Sequence, residues 1–557
     1  MIVKMLHLDL ICVAAEKEST LERLRALGAV HLDMRAAAGE AIVVAKGEAA
    51  DAERAVRLIM KARESAEGGE PRARSVAEVL AVEADRATLR AAAEELSRLI
   101  AHYAPYGDFD PALARKLLDC GVDLSSVAEL PPELPPMRLS KMREKLARIE
   151  NRIAVDTARL AGCDENAILS AFPEIADRIT FASACALMAE EGALAHVSGW
   201  LAARSVPVLK KACAEAGWGV LLREPAEGEE PPTLIEPPRL FRPVKALFDG
   251  LGIAPAYSEA DVSVPFMCYF SLFFAMLVGD GAYGAIFLAA TLSLRKKIPS
   301  SWFAMLTVFS AATIGWGFLS NTWFGAAIPA LSHLPSAKWL ADPSYGNMML
   351  LCFTVGASHL ILARIWNGIC RINDSTCLAE FGWAGVLLFM YFVTNSIVGI
   401  FTAIPVALYW VFGVSLALVF GFSVKPSELK TRGAELGMLP LNIMSALGDI
   451  ISYVRLFAVG LASVKVAENF NSMATGLLEG ADAFWLKALM SLAMAAILIV
   501  GHGLNLAMAG LSILVHAVRL NTLEFSNHKG VSWSGYAFRP FKALSARYAT
   551  VKKEEKT

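Results

Sequence analysis

Several patterns that would assign a chain to a common class of protein are missing here. The 557 residues contain no GxxxxGK[ST] phosphate-binding motif and no Gly-Lys dipeptide that could start one. Any nucleotide used by a process that involves this protein is therefore expected to bind to another chain. The formal net charge is −2 and the pI is near 6.5, so the chain has neither the basic excess typical of nucleic-acid binding nor an acidic tail. We expect no nucleic-acid partner.

The nine cysteines form no recognisable ligand set. No CxxC pair and no His/Cys spacing of the metal-binding kind occurs among positions 12, 120, 163, 185, 213, 268, 352, 370 and 377. This pattern predicts reduced thiols that pack as small apolar side chains, with neither a metal site nor a cofactor. The first twelve residues lack a long apolar core followed by a small-residue cleavage site, so we predict no signal peptide and a cytoplasmic N-terminal half.

Hydrophobicity is high and unevenly distributed along the chain. The mean hydropathy is +0.47 and 19% of the residues are charged. Residues 1–260 carry most of the charge, whereas residues 264–522 carry most of the long apolar runs. We therefore predict a cytoplasmic arm over residues 1–260, a transmembrane domain over 261–525 and a basic cytoplasmic tail over 526–557.

The arm is expected to be an elongated α+β domain. Residues 3–13 alternate as a strand does, 17–27 are amphipathic, and 29–34 form a second strand pattern. Long Ala/Glu/Arg-rich helical stretches follow, separated by the Gly/Pro breaks at 68–71 and 131–136; they cover residues 40–66, 75–104 and 138–163. Their apolar spacing predicts an antiparallel helical hairpin or coiled coil that could reach a partner.

A second α/β lobe is predicted after the helical arm. Residues 177–223 mix helix and strand patterns around the segment His196-Val-Ser-Gly-Trp200. Residues 224–232 then combine four glutamates with three prolines and one glycine, which is typical of a solvated linker.

The apolar half predicts an α-helical polytopic membrane domain with eight transmembrane helices. Its apolar segments are 264–294, 302–325, 347–369, 381–400, 402–422, 440–467 and 484–522. The first would be about 46 Å long as one helix, against a hydrocarbon core of about 30 Å. The break Gly279-Asp-Gly-Ala-Tyr-Gly284 interrupts it. Two short spans that meet at this break raise the count from seven to eight.

The distribution of basic residues favours the same topology. With a cytoplasmic N-terminus and eight spans, every basic loop falls on one side: residues 295–297, Arg364 with Arg371, Lys425 with Lys430 and Arg432, and the tail 529–556. The opposite loop 468–483 carries Glu468, Glu479 and Asp482 instead. We therefore predict that both termini are cytoplasmic and that the protein lies in a cell membrane, of the prokaryotic plasma membrane type.

Arg455 stands near the middle of an apolar segment, where a charge costs about 2.5–3.5 kcal/mol on insertion scales. Such an arginine is expected to face protein or a water-filled cavity and to mark an ion path. On an ideal helix its face is shared by small or smooth side chains, namely Gly448, Ser452, Val459 and Ala462. A second arginine, Arg519, ends a polar stripe made of Asn505, Ser512 and His516.

Each of these residues also has a purely structural interpretation. Arg455 could form a static buried ion pair with Asp280 or Asp449. Arg519 could snorkel to the interface, because Asn521, Glu524 and His528 follow it closely. His502 and His516 could be hydrogen-bonded packing residues. For Asp280 a helix cap at the break is favoured over a channel group.

The two arginine-bearing segments are longer than a perpendicular crossing requires. Segments of 28 and 39 residues would span about 42 Å and about 58 Å as α-helices. Steep tilt or extension beyond the bilayer is therefore expected. A tilted pair could curve along a cylindrical partner, with the small residues allowing the surfaces to slide.

Four sequence motifs follow one another in chain order. They are Pro232-Thr-Leu-Ile-Glu-Pro-Pro238 leading into Tyr257-Ser-Glu-Ala-Asp261, the break Phe273-Phe-Ala-Met-Leu-Val-Gly-Asp-Gly-Ala-Tyr-Gly284, Ser452-Tyr-Val-Arg-Leu-Phe-Ala-Val-Gly-Leu-Ala462, and His516-Ala-Val-Arg-Leu-Asn-Thr-Leu-Glu-Phe525. Together they resemble subunit I of the bacterial and archaeal V/A-type rotary ATPases, the counterpart of the V-ATPase a subunit. The resemblance covers nearly the whole chain.

The resemblance implies a stator subunit that has no catalytic activity alone. Its arm would be held by peripheral stalk subunits of the E/G type, and its two long helices would embrace a rotating proteolipid c/K ring, with a central-stalk subunit capping the ring nearby and membrane lipids around it. The family's paired arginines map onto Arg455 and Arg519, which would act on the ring carboxylates to move H⁺ or Na⁺. The ring carboxylate site is expected to decide which ion is carried.

Polar residues near the two arginines are candidates for two ion half-channels. They are Ser445, Asp449 and Ser452 on the cytoplasmic side, Ser463, Glu468, His502 and Asn505 on the opposite side, and Ser512, His516 and Glu524 beside the second arginine. The chain departs from the eukaryotic pattern at Ser463, often histidine there, and at Ala509, often glutamate. The alternatives are a secondary transporter with its own substrate site, against which no inverted repeat is visible, and a membrane scaffold that transports no ion.

Overall fold

The N-terminal elements follow the sequence periodicities closely. The computed structural model describes residues 2–34, 39–65, 75–120, 131–226, 228–340, 342, 344–425, 434, 436–477 and 484–543. The predictions made for residues 68–71, Lys430, Arg432, Glu479, Asp482 and the tail beyond 543 lie outside these residues. In chain order the elements of the first half are β1 (Met5–Val13), α1 (Lys17–Leu27), β2 (Val30–His31), α2 (Glu40–Ser65), α3 (Val76–Tyr103), α4 (Pro111–Asp119), α5 (Leu139–Ala161), α6 (Glu165–Leu169), α7 (Phe172–Leu187), β3 (Ala189–Glu191), β4 (Leu194–Ala202), α8 (Val206–Ala216) and β5 (Gly219–Arg223).

The five strands of the described residues belong to one sheet, with the order β2-β4-β1-β5 and β3 paired to β4. β1 and β5 are antiparallel, with His7 opposite Arg223 and Ile11 opposite Gly219. The two segments predicted to form α/β lobes thus contribute strands to a single sheet. Strands that are far apart in the sequence complete each other's backbone hydrogen bonds, which sequence periodicity alone cannot reveal. The strand predicted over 29–34 is also shorter, at two residues.

The helical arm is the predicted antiparallel hairpin. Val79, near the start of α3, is buried in one cluster with Leu160 near the end of α5. Tyr103, at the end of α3, is buried in another cluster with Leu139 at the start of α5. The two helices therefore run in opposite directions. The Ser75 side chain accepts a hydrogen bond from the backbone N–H of Glu78 and caps α3.

In the described residues of the second half, the long regular elements are helices. Its elements are α9 (Val244–Leu251), α10 (Ser263–Val278), α11 (Gly281–Ser293), α12 (Ser300–Ser320), α13 (Pro335–Leu340), α14 (Gly346–Cys370), α15 (Cys377–Ile397), α16 (Val406–Phe422), α17 (Leu439–Ile451), α18 (Val454–Gly476), α19 (Phe484–Ser512), two π-helical turns (Ile513–Ala517 and Leu520–Phe525) and α20 (Ser526–Lys529).

The break predicted in the first apolar segment is a sharp bend. The chain bends by 117° between α10 and α11, and Gly279 supplies the positive φ of +70° at the end of α10. Asp280 caps α11 by accepting from the backbone N–H groups of Ala282 and Tyr283, and its other oxygen accepts from the N–H of Gly325. The predicted role of Asp280 as a cap is confirmed.

Five described helices are long and apolar enough to cross a membrane. They are Ser300–Ser320, Gly346–Cys370, Cys377–Ile397, Leu439–Gly476 and Lys487–Lys529. The bent pair α10 and α11 makes a sixth candidate when it is counted as one span, and Val406–Phe422 is a shorter apolar helix. The structure therefore shows a membrane protein with five or six spanning candidates and does not confirm the predicted eight.

The chain forms two compact units. One contains the described residues within 2–6 and 224–539, and the other contains the described residues within 7–223 and 540–543. The first unit has a large core around Phe266, Phe270, Phe273, Tyr283 and Tyr453. In the second, the sheet packs on Leu21, Leu24 and Leu209 of its flanking helices. The two units are defined by packing alone. The boundaries predicted at residues 260 and 525, between the cytoplasmic arm, the transmembrane domain and the tail, therefore remain predictions.

Candidate functional site

Arg455 lies where the first long segment changes its helical geometry. α17 ends at Ile451 and α18 begins at Val454, and the linking turn is tightened because the N–H of Arg455 donates to the carbonyl of Ser452, three residues back, at 3.3 Å. The guanidinium Nε also donates to this carbonyl, at 3.0 Å. The arginine is therefore anchored to a local irregularity of the helix and not to a smooth helical face.

The partner of Arg455 is Glu524. Arg455 Nη2 lies 2.8 Å from Glu524 Oε1, and Arg519 Nε lies 3.5 Å from the same oxygen. Ser452 Oγ donates to it more weakly, at 3.4 Å. We call Ser452, Arg455, Arg519 and Glu524 the arginine cluster. It brings together both predicted arginines and two of the half-channel candidates.

The predicted ion-pair partners of Arg455 are engaged elsewhere. Asp280 is a helix cap, and Asp449 lies 3.0 Å from His528 Nε2. His528 Nδ1 in turn accepts from Arg364 Nε at 3.1 Å, and Arg364 is ion-paired with Glu380. The carboxylate that Arg455 uses lies 69 positions away in the chain, so only the packing of the two long segments could reveal it.

A second polar group is formed by the two long segments together with the first turn of α11, and we call it the tyrosine cluster. Asn505 donates from Nδ2 to the hydroxyl of Tyr283 at 3.0 Å and to the carbonyl of Ser463 at 2.9 Å. The Tyr283 hydroxyl also lies 2.7 Å from His502 Nδ1. His502 Nε2 lies 3.1 Å from Asn471 Oδ1, which extends the chain of hydrogen bonds.

Tyr283 and Asn471 are the members of this cluster that sequence reasoning missed. Tyr283 is the tyrosine of the Gly-Asp-Gly-Ala-Tyr-Gly break, where the sequence pattern directed attention to the bend and its cap. Its importance appears only in the structure, where the residue is 1% exposed and its buried hydroxyl must be hydrogen-bonded. Ser463, His502 and Asn505 were all predicted.

A cavity of about 230 Å³ is lined in part by residues that follow Ser463 in the sequence. Gly279, Gly460, Val464, Lys465 and Glu468 are among its lining residues. Lys465 and Glu468 form an ion pair of 2.7 Å. Glu468 is thus a wall residue of this cavity and not a member of either cluster.

The remaining predicted residues are not joined to the clusters. Ser445 is exposed on α17 and Ser512 is half-buried at the end of α19; among the described residues neither is hydrogen-bonded to the two clusters. His516 is half-buried, and its Nδ1 atom is buried with no hydrogen-bond partner in the described residues. It lies three residues before Arg519, within one turn of the arginine cluster.

The two clusters are well separated along the helices. Asn505 precedes Arg519 by fourteen residues, which corresponds to about 21 Å along an α-helix. Arg455 in its cluster keeps one guanidinium nitrogen, Nη1, without a hydrogen-bond partner in the described residues. The Arg519 side chain is 56% exposed. The guanidinium groups of Arg455 and Arg519 are therefore not fully covered by polar partners in the described residues.

Comparison with known proteins is consistent with this arrangement. No family model matches the chain. It is 28% identical to V-type ATP synthase subunit I 1 of Treponema pallidum, over 97% of this chain and 100% of that relative. It is 32% identical to V-type ATP synthase subunit I of Borreliella burgdorferi, over 63% of this chain but only 60% of that relative's length. A third match, A-type ATP synthase subunit I of Methanocaldococcus jannaschii, is 24% identical over 76% of this chain and 65% of the relative. This chain is therefore similar to V-type and A-type ATP synthase subunit I proteins, and its described apolar helices are those of a membrane protein.

Proposed function

We propose that this chain is the ion-translocating stator subunit of a rotary V/A-type ATPase or ATP synthase. Together with a proteolipid ring it would form two half-channels for H⁺ or Na⁺. The observation that carries the proposal is the arginine cluster: two arginines from separate long segments converge on one carboxylate, at 2.8 and 3.5 Å. A second polar cluster lies further along the same two segments.

The proposed role of the arginines follows from electrostatics. A fixed guanidinium in a poorly screened site favours the charged form of a passing ring carboxylate, so that the carboxylate gives up its H⁺ or Na⁺. The same positive charge repels a cation that would pass directly between the half-channels. Arginine suits this role better than lysine, because it stays protonated and presents a planar fork of donors.

The half-channels are proposed to use the polar residues on either side of Arg455. Ser445, Asp449, Ser452 and Glu524 would belong to the cytoplasmic route. Ser463, Glu468, His502 and Asn505 would belong to the opposite route, supported by the tyrosine cluster and by the cavity beside Glu468. Ser512 and His516 lie between the two routes along the last segment.

The surface of the last segment supports contact with an apolar partner. Large apolar side chains are exposed along it, including Leu492 at 69%, Ile499 at 74% and Leu511 at 64%. Such a stripe requires lipid or another membrane protein as a neighbour. We propose that the proteolipid ring covers part of it, with membrane lipids around the rest.

The topology is proposed to have eight crossings with both termini in the cytoplasm. The described apolar helices supply eight segments when α10 and α11 count as two short spans, α17 with α18 as one, and α19 with the turns that follow it as one. The cytoplasmic arm over 1–260 would bind peripheral stalk subunits of the E/G type, and a central-stalk subunit would cap the ring nearby. We also propose that residues 526–557 form a basic cytoplasmic tail and that the protein lies in the plasma membrane.

The subunit is proposed to have no ATPase activity alone. The ion pair between Arg455 and Glu524 is the observation that favours the alternative function, a scaffold in which the arginine only holds helices together. A secondary transporter with its own substrate site is the other alternative. The scaffold alternative predicts that this subunit moves no ion. The transporter alternative predicts ion movement that does not depend on ATP hydrolysis by partner subunits.

ATP-driven ion uptake into membrane vesicles that contain the assembled complex tests the proposal. We expect Arg455→Ala and Arg455→Lys to abolish uptake while the proteolipid ring still co-purifies with the subunit. Arg295→Ala is the matched control, because Arg295 packs over Phe303 and lies outside both clusters. Normal uptake in both Arg455 variants would leave the scaffold function in place of the one proposed.

A further inference from the structure

Glu524 is held in an unusual electrostatic position. Its residue is 5% exposed, and its Oε1 atom is shared by Arg455 and Arg519. The other oxygen, Oε2, is buried without a hydrogen-bond partner among the described residues, and so is Nη1 of Arg455. This carboxylate therefore has guanidinium groups of two arginines on one oxygen, and its second oxygen is left for a partner that the described residues do not supply.

The local helix geometry explains how Glu524 reaches Arg519. The two residues are five positions apart, which in an α-helix of 3.6 residues per turn places side chains about 140° apart. The segment Leu520–Phe525 is a π-helix, whose hydrogen bonds join residues five apart and so bring such residues to nearly the same side. The Ser526 hydroxyl shows the same five-residue spacing, because its Oγ donates to the carbonyl of Asn521 at 2.9 Å.

We propose that Glu524 is an internal counter-ion that positions and partly neutralises the two arginines, and that the π-helical turn exists to present it to them. This inference rests on the proposed function above. Two guanidinium groups and one carboxylate leave the cluster with a net charge of about +1 when no ring carboxylate is beside it. Glu524 competes with the ring carboxylate for the same donors and thereby limits how strongly the arginines hold it.

The proposal predicts a change in ion loading more than a change in assembly. In Glu524→Gln the cluster becomes more positive, so the ring carboxylate favours its empty, ionised form more strongly. The ion concentration that gives half-maximal uptake should rise about tenfold, which is the effect of one unit charge about 12 Å away at an effective dielectric constant of about 20.

The experiment measures ATP-driven uptake by the assembled complex in vesicles as a function of the concentration of the transported ion. The variants are Glu524→Gln, Glu524→Asp and Thr522→Val. The last is the matched control, because the Thr522 hydroxyl donates only within its own helix, to the carbonyl of Val518 at 2.9 Å. Glu524→Asp keeps the charge but withdraws it by one methylene, so we expect a smaller rise than in Glu524→Gln, of less than about twofold. Thr522→Val should leave the value unchanged.

Each outcome decides the matter. A wild-type half-maximal concentration in Glu524→Gln overturns the proposal, and so does loss of uptake at every ion concentration, which would make Glu524 a carrier of the ion. If Glu524→Gln does not co-purify with the ring, Glu524→Asp decides: an upward shift supports the counter-ion role, whereas an unchanged value or failed assembly overturns it. Arg455→Ala runs in parallel. Normal uptake in that variant rejects the proposed function itself, whereas its loss beside an unaffected Glu524→Gln rejects only this inference.

Discussion

The hydroxyl of Tyr283 lies 2.7 Å from Nδ1 of His502, although the two residues are 219 positions apart in the chain. Asn505 donates to the same hydroxyl. The bend between α10 and α11 is what brings Tyr283 to this place, because it turns the first residues of α11 toward the last long segment. The bend that the sequence predicts as a break in a span therefore also supplies a polar group, the Tyr283 hydroxyl, inside the membrane domain.

Tyr283→Phe is expected to reduce ATP-driven uptake severalfold without loss of assembly, since it removes the hydroxyl that links His502 to Asn505 and leaves both without that partner. The effect should not add to that of His502→Ala, because both changes break the same chain of hydrogen bonds. Uptake rates of the two single variants and the double variant measure this. Tyr391→Phe is the control, as its hydroxyl bonds to Thr354 on other helices. Full additivity would contradict a shared role.

Asp280→Ala is expected to destabilise the membrane unit by about 2 kcal/mol or more, because three backbone N–H groups lose their acceptor inside a buried bend. Asp280→Asn keeps one acceptor oxygen and should cost less. Thermal unfolding of the purified complex, followed by tryptophan fluorescence, measures the difference. Equal midpoints for the wild type and Asp280→Ala would show that the cap does not stabilise the bend.

Gly460→Ala should prevent normal packing of α10 against α18. A Cβ atom at this position would lie 2.5 Å from the carbonyl oxygen of Met276, a contact that only backbone movement can relieve. We expect poor recovery of the assembled complex, measured by co-purification with the ring. Gly413→Ala, where a Cβ atom meets nothing within 4 Å, should be recovered as the wild type is. Similar recovery of both variants would mean that the helices are not this closely packed.

Two thiols of the sheet-containing unit should react slowly with alkylating agents. Burial raises the pKa of Cys213, and burial followed by the nearby charge of Glu18 raises that of Cys185. A raised pKa means less thiolate at a given pH, so the labelling rate should be low near pH 8 and should increase as the pH rises. Mass spectrometry after timed labelling with iodoacetamide measures the rates. Labelling as fast as in urea-denatured protein would contradict this.

Elements with strong periodicity were predictable within a few residues. The helix predicted over 17–27 is Lys17–Leu27, and the arm helices begin and end within two residues of their predicted limits. Their signals are local, being apolar spacing, capping residues and Gly/Pro breaks. The single sheet was missed because β1 pairs with β5 across more than 200 residues, and strand pairing over such a distance leaves no local signal.

The candidate site divides in the same way. The sequence by itself identified Arg455 and Arg519, because a charge inside an apolar segment is costly wherever the chain folds. It also identified the bend at Asp280, since glycine and a capping carboxylate act within a few residues. The choice of Glu524 over Asp280 and Asp449 as the partner of Arg455, and the entry of Tyr283 into the second cluster, were decided only by tertiary structure. Side chains reach one another across helices according to rotation, bend and π-helical register, and these depend on how the segments pack.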